Sequence, residues 1–220
     1  FSYVQGPVDE DGRMAVFVLT DAQQFDLRAG ITQSLAGRVG MVQLLPFSQG
    51  ELAAAGIAPD DAETAIYSGF YPPIYDREIA PLDWQAGYVA TYLERDLHQL
   101  IQVRDLKAFQ LFVRMCAART GQLLNLSSLA ADCGITHNTA KAWLSVLEAS
   151  YLVFLLPPHF RNFSKRLTKT PKLYFYDTGL ACWLLGIRDK GQLTTHAMRG
   201  ALFETWVIAE LVKGRFNRGL

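Results

Sequence analysis

The sequence has no surplus of either charge: Lys and Arg total 21, Asp and Glu total 21, and the formal net charge is zero. Such a chain has no long-range positive field to draw in a polyanion, so any contact with nucleic acid must come from a local basic patch. Cysteine is scarce. Cys116, Cys133 and Cys182 are odd in number and far apart, without a CxxC or Cys/His cluster. This argues against a disulfide framework or a zinc site and for reduced, buried thiols in a cytoplasmic protein. No apolar run approaches the roughly 20 residues that span a bilayer. No positively charged leader precedes an apolar stretch, so no signal peptide is predicted and no membrane partner is expected. The four histidines, His98, His137, His159 and His196, are dispersed, and none stands beside a Cys or Ser nucleophile in a recognisable motif. A glycine-rich dinucleotide fingerprint is missing, as is any heptad long enough for a coiled coil. Also missing are GxxxxGK followed by Ser or Thr and an apolar strand ending in paired carboxylates, the parts that wrap phosphates and hold magnesium. The chain alone is therefore expected to be catalytically inert. It starts at Phe1 without a Met and stops at Leu220 in a polar, glycine-flanked tail, and both ends read as cuts.

What is present suits a globular protein: 220 residues, half of them apolar and 19% charged, enough for one or two cores. Ala15 to Leu19 (AVFVL) is a short β-branched run that suits a buried strand, with polar residues Thr20 to Gln24 at its end, where open α/β sheets bind ligands. A helical stretch, Gly30 to Leu35, and a second apolar run, Val39 to Leu45, follow. Pro46 ends that run, and Ser48 with Glu51 has the spacing of a capping box. This first third reads as the tail of an α/β sheet. Gly56 to Pro81, rich in Gly, Pro and Tyr, reads as an ordered connecting loop. Leu82 to Leu100 turns helical, with Trp84, Tyr88, Tyr92 and Arg95 at spacings of three and four, and reads as a helix linking two domains.

The segment from Leu106 is the most informative. Leu106, Phe109, Val113 and Cys116 share one helical face. Ser127 is placed to cap a short second helix carrying Leu129, Ala130 and Cys133, and Gly134 supplies a left-handed turn. Thr136 caps a third helix with Ala140, Trp143, Leu144 and Leu147 inward. Two helices across a tight turn, with the small Ala130 at their approach, make a helix-turn-helix. Tyr151 to Leu155 then reads as a strand, Pro157 and Pro158 break it, and Leu173 to Tyr176 reads as its return, the arrangement of a wing. Between them lie Arg161, Lys165, Arg166, Lys169 and Lys172, with no acid from His159 to Lys172. Cations on such a loop suit phosphate contact and salt-dependent binding. The third helix is plainer: His137, Asn138, Lys141 and Ser145 are its outward polar positions, Glu148 repels phosphate, and no Arg or Gln is there for bidentate base readout. The module serves nucleic acid on this reading, or else protein contacts and domain packing.

The strings FVLTDAQQF and SLAGRVGMVQLLPFS resemble the end of the ATPase core in a bacterial family of AAA-type ATPases that couple a P-loop domain to a C-terminal domain of uncharacterised function. TYLERDL, TPKLYFYDTGLACWLLG and RGALFETWVIAEL resemble signature stretches of that C-terminal domain. The resemblance implies a parent protein that binds ATP and Mg, and a homo-oligomer in which Arg38, similar to the family's Arg, acts on a neighbouring subunit's nucleotide. Thr20 and Gln23 match the family's sensor strand, whereas Asp21 and Ala22 depart from it, and a carboxylate near a phosphate is unfavourable. Arg38 also reads as a surface or capping residue. Gly200 to Leu211 resembles the helix that opens a restriction-endonuclease-like fold, and Glu204 the acid it contributes toward a metal. A helix-face carboxylate with a structural partner is the plainer reading of Glu204, and a helix cap that of Asp177.

The expected fold class is therefore α/β plus mainly α: the C-terminal remnant of a P-loop ATPase core and connecting loop over 1–81, a linking helix and winged helix-turn-helix over 82–176, and the start of an α/β nuclease-like domain over 177–220. The expected function is part of an ATP-binding AAA-type ATPase whose winged helix binds nucleic acid or a protein partner. A free-standing winged-helix DNA-binding regulator and the remnant of a metal-dependent nuclease are the alternatives.

Overall fold

The computed structural model describes residues 18, 40, 42–92, 105–159 and 169–219. The chain divides into two compact units, Phe1–Leu44 and Leu45–Leu220. In the first, the described residues carry no regular structure, and Val18, Val42 and Leu44 are exposed. The strand expected over Val39 to Leu45 is not formed in its described part, 42–45. Apolar β-branched composition is satisfied in a strand only by a paired edge and a covered face, and Val42 and Leu44 lack the covered face.

The second unit mixes α and β and is mainly α. Its helices are α1 (Gln49–Ala54), α2 (Ala62–Ser68), α3 (Pro72–Asp76), α4 (Pro81–Tyr88), α5 (Leu106–Ala117), α6 (Leu126–Asp132) and α7 (His137–Ala149). Strands β1 (Val153–Leu156) and β2 (Lys172–Phe175) follow, then α8 (Thr178–Leu184), α9 (Lys190–Thr195) and α10 (Arg199–Phe216).

Local chemistry explains most of these boundaries. Ser48 and Glu51 form the reciprocal capping box that starts α1. The stretch Gly56 to Pro81, expected as a loop, instead holds two helices. Asp61 caps α2 by accepting from the Thr64 amide at 2.7 Å, and Pro72 and Pro73 occupy the first turn of α3. Proline is tolerated there because those amides have no helical partner anyway. α4 also begins on a proline and runs into a π-helical turn over 89–92. Its described part packs against α2, α3 and α8 within the same unit.

The longer α5 buries Phe109, Phe112, Val113, Cys116 and Ala117, the three-and-four spacing of one apolar face. Asp105 caps it, accepting from the Ala108 amide. The cap of α6 is Asn125, accepting from the Ser128 amide at 2.9 Å, two residues before the expected Ser127. Asn125 wins because its short amide side chain reaches the free amide three residues on. Gly134 has φ 65°; its amide bonds Ala131 O while the Ile135 amide bonds Ala130 O, the paired closure of a left-handed helix end. Thr136 caps α7, which buries Ala140, Trp143, Leu144 and Leu147, as its periodicity predicts.

β1 and β2 pair antiparallel, with Val153 opposite Phe175 and Leu156 opposite Lys172. A third segment joins them. Between α5 and α6, Leu123 bridges Lys172, the Gly121 amide donates to Leu173 O at 2.7 Å, and the Leu124 amide donates to Pro171 O at 2.9 Å. The main core gathers α5, α6, α7, both strands and α8 around Phe112, Leu129, Leu147, Val153 and Leu180; a smaller cluster holds Leu52, Ala65 and Phe70. All three cysteines are free and buried, and burial pushes the Cys116 and Cys182 thiols far above their ordinary range. A thiol so shifted is a packing group rather than a nucleophile. No helix among the described residues is long and apolar enough to cross a membrane.

Candidate nucleic-acid interface

α5, α6 and α7, with the hairpin behind them, hold α7 with one side inward and one outward. Trp143 anchors the inward side, edge-on to Phe109 and Phe112 at centroid distances of 5.3 and 5.4 Å. Opposite, His137, Asn138, Lys141 and Ser145 are exposed, at the helical spacing that puts them on one face. The Ser145 hydroxyl donates back to Lys141 O at 3.0 Å. No acid occurs from Cys133 to Leu147. The nearest acids on either side are engaged or shielded. Asp132 is ion-paired with Arg119, and Glu148 is half-buried, its carboxyl pushed up by burial. From His137 to Ser145 the outward face of α7 thus carries the cation Lys141 and no acid, with Glu148 beyond it at the C-terminal end.

The loop cations divide. Lys169 is exposed. Lys172, on β2, turns to α10: its Nζ donates to Glu204 Oε1 at 2.8 Å, and the Tyr174 hydroxyl donates to the same oxygen at 2.6 Å. These two donors hold the Glu204 carboxyl below its ordinary value. Lys172 is therefore engaged in a part-exposed tertiary ion pair with α10. Glu204 has a cation and a phenol for neighbours, the reverse of a metal ligand set. Among the described residues no group of three His, Cys, Asp or Glu side chains could hold a metal ion. Arg161, Lys165 and Arg166, and likewise Thr20, Gln23 and Arg38, lie outside the described residues.

A second polar cluster was not foreseen. Asp177 caps α8, accepting from the Leu180 amide at 2.7 Å, as its place before Thr-Gly suggests. It also accepts from the Phe70 amide at 2.6 Å and from Gln85 Nε2 at 3.4 Å, and it is buried. Burial raises its carboxyl above the ordinary range, against the lowering effect of these donors. Nearby, the buried Lys213 donates to Phe47 O at 2.7 Å, pairs with Glu210 at 2.6 Å and lies 4.1 Å over the Phe70 ring. Phe70 and Gln85 lie 107 and 92 positions from Asp177, and Phe47 lies 166 from Lys213, so no local spacing marks these contacts. The glycines Gly69 and Gly179 are the one sequence trace. A Cβ on Gly69 would lie 2.5 Å from Asp177 Oδ1, and one on Gly179 would lie 2.6 Å from Ser68 O.

A family described as Domain of unknown function (DUF8612) matches residues 59–191, more than half of the chain. The chain belongs to this family. The matched stretch covers α2 to the start of α9, and so takes in the α7 face, the hairpin and Asp177 together. It crosses the boundaries expected at 81 and 176, which also fall inside the second compact unit. Two relatives are 32% identical over 206 residues: Uncharacterized protein Mb2031c of Mycobacterium bovis and Uncharacterized protein Rv2008c of Mycobacterium tuberculosis. The alignment covers 93% of this chain and 46% of each relative, so the chain spans about half the length of the curated relatives it matches. No solved structure matches it.

Proposed function

We propose that residues 106–176 act as a winged helix that binds nucleic acid through α7 and the loop after β1, within a larger AAA-type ATPase. The observation that carries this reading is the outward face of α7, where His137, Asn138 and Lys141 stand together with no acid from Cys133 to Leu147. Support comes from the order of the elements. Three helices precede an antiparallel hairpin, and the segment between the first two helices pairs with its second strand, an order that suits a helix presented to a groove with a loop beside it. The scarcity of bidentate donors on α7 favours backbone contacts over base readout.

The ATPase part of the proposal rests on the resemblance of the N-terminal strings. ATP and Mg belong to the parent protein, and the phosphate loop is assigned to the portion of the longer relatives that this chain does not span. A coding sequence upstream of Phe1 with no GxxxxGK string would sink that part alone.

The nucleic-acid part is tested by titrating labelled duplex with the 220-residue chain at low and at moderate salt. Binding at low salt is expected, with log affinity falling by about 0.9 per phosphate contacted as log salt rises. The double variant N138A/K141A should weaken it, and K165A/R166A/K169A should flatten the salt dependence. Absent affinity at low salt, or affinity indifferent to both variants, overturns the reading. An exposed apolar row on α10, formed by Phe203, Val207 and Leu211, favours a protein partner as the second reading, and absent affinity for duplex at low salt would leave that reading standing.

A further inference from the structure

α8 ends in a left-handed turn at Gly186, φ 83°, and two arginines close over its last carbonyls. Arg188 donates to Trp183 O and lies 4.5 Å over the Trp183 ring. Arg114, from α5, donates through Nε to Leu184 O at 3.3 Å. Arg114 and Arg188 both line a cavity of about 160 Å³ whose other walls include Val89, Phe109, Val113 and Trp183.

Each arginine has a structural use in capping these carbonyls, where positive charge is favourable. Among the described residues, that use engages one donor of each. A guanidinium carries five N–H groups, and the carbonyl bonds described here employ one on each residue. Among the described residues no carboxylate pairs with either arginine, and none of the cavity-lining residues is acidic. Two cations thus share one apolar-walled space in a protein with no net charge to spare. Charge complementarity calls for an anion, and the walls call for an apolar body. Size narrows the class further, because an apolar cavity of about 150 Å³ accommodates a single benzene ring.

We propose that this cavity binds a free small aromatic carboxylate, with the ring between Phe109, Val113 and Trp183 and the carboxylate on Arg114 and Arg188. The site is independent of the nucleic-acid reading, since it uses none of the α7 or loop residues. Arginine suits the task because its planar fork matches a carboxylate.

Phenylacetate serves as the probe and phenylacetamide, of the same shape without the charge, as the control. Both are titrated into the isotopically labelled 220-residue chain and followed by amide chemical shifts. Phenylacetate is expected to bind at least about tenfold tighter than the amide, with the largest shifts at residues 109–114 and 183–188. R114Q and R188Q should each weaken phenylacetate and leave the amide unchanged, because glutamine can still donate to the Leu184 and Trp183 carbonyls and so keep the α8 end closed. The comparison of acid with amide on the unmodified protein needs no variant to fold. Equal binding of the two ligands, no saturable binding of phenylacetate at millimolar concentration, or shifts confined to other parts of the chain would each overturn the proposal.

Discussion

From Leu106 to Phe175 no described residue buries a charged side chain, whereas the region made by α1, α2, α4, α8 and α10 buries two, Asp177 and Lys213. The first region is held by apolar packing, with the small hydroxyls of Thr120 and Ser150 buried in it, and its helix starts are closed by caps that reach three residues. The second is joined by hydrogen bonds between segments far apart in sequence, made where water cannot substitute for a lost partner. The difference teaches where each region tolerates change. The helix-and-hairpin region can vary its outward face freely, while the second region is specified by a few atoms whose partners have no alternative.

The largest expected effect separates the two kinds of core. Phe112, fully buried against Trp143, should cost about 4 kcal/mol when truncated to Ala, read as a lower urea midpoint, because the ring leaves a cavity. D177A should come next at about 3 kcal/mol, since it strands the Phe70 and Leu180 amides. D177N, which keeps one acceptor, should lose less. If D177A proves as mild as a surface substitution, the second region is not organised around Asp177.

Two glycine substitutions sharpen the same contrast. A Cβ on Gly179 meets the backbone of Ser68 and Gly69 at 2.6 and 2.8 Å, so G179A should destabilise by about 2 kcal/mol or more through forced separation of α8 from α2. Gly134 has open space around its Cβ position but φ 65°, so G134A should cost only the left-handed strain, about 1 kcal/mol. Equal thermal shifts for the two would erase the distinction between crowding and backbone strain.

The smallest effects concern pH, and they carry opposite signs. Burial raises Asp177 above its ordinary 3.8 in the folded chain, so its contribution is full below 3.8 and is lost as pH rises through the raised value. Glu204 is lowered from 4.5 by Lys172 and Tyr174; its contribution is present above 4.5 and is lost as pH falls through the lowered value. Replacing Asp177 with Asn should therefore remove a loss of stability on the upward side of 3.8. E204Q should remove a loss on the downward side of 4.5 and cost well under about 1 kcal/mol near neutrality, because the pair is solvent-screened. Denaturant midpoints of both variants across pH 3 to 7 check the signs, an interval chosen to bracket the ordinary carboxylate range.

Much of the α5 to β2 region was legible because its signals are local. The Thr136 cap, Gly134 and the apolar spacing of α7 involve residues within a few positions of one another, as does the Ser48 cap of α1. Reading failed where a local signal had two outcomes. The double proline at 72–73 marks a loop or a first helical turn, and β-branched residues at 39–45 favour a strand only when a covered face exists. The outward face of α7 was legible as well, since it is what remains when the buried positions are removed. Lys172 was not, because its charge looked free in a basic loop until β2 brought it to Glu204.

The sequence by itself determined the starts of α1 and α7, the turn at Gly134 and the inward faces of α5 and α7, because capping and periodicity are settled by groups that chain connectivity already holds close. Only the tertiary structure decided that residues 121–124 pair with β2, that Asp177 answers the Phe70 amide from 107 positions away, and that Arg114 and Arg188 face one cavity. Those contacts depend on how segments from distant parts of the chain come together, and no spacing along the sequence encodes that meeting.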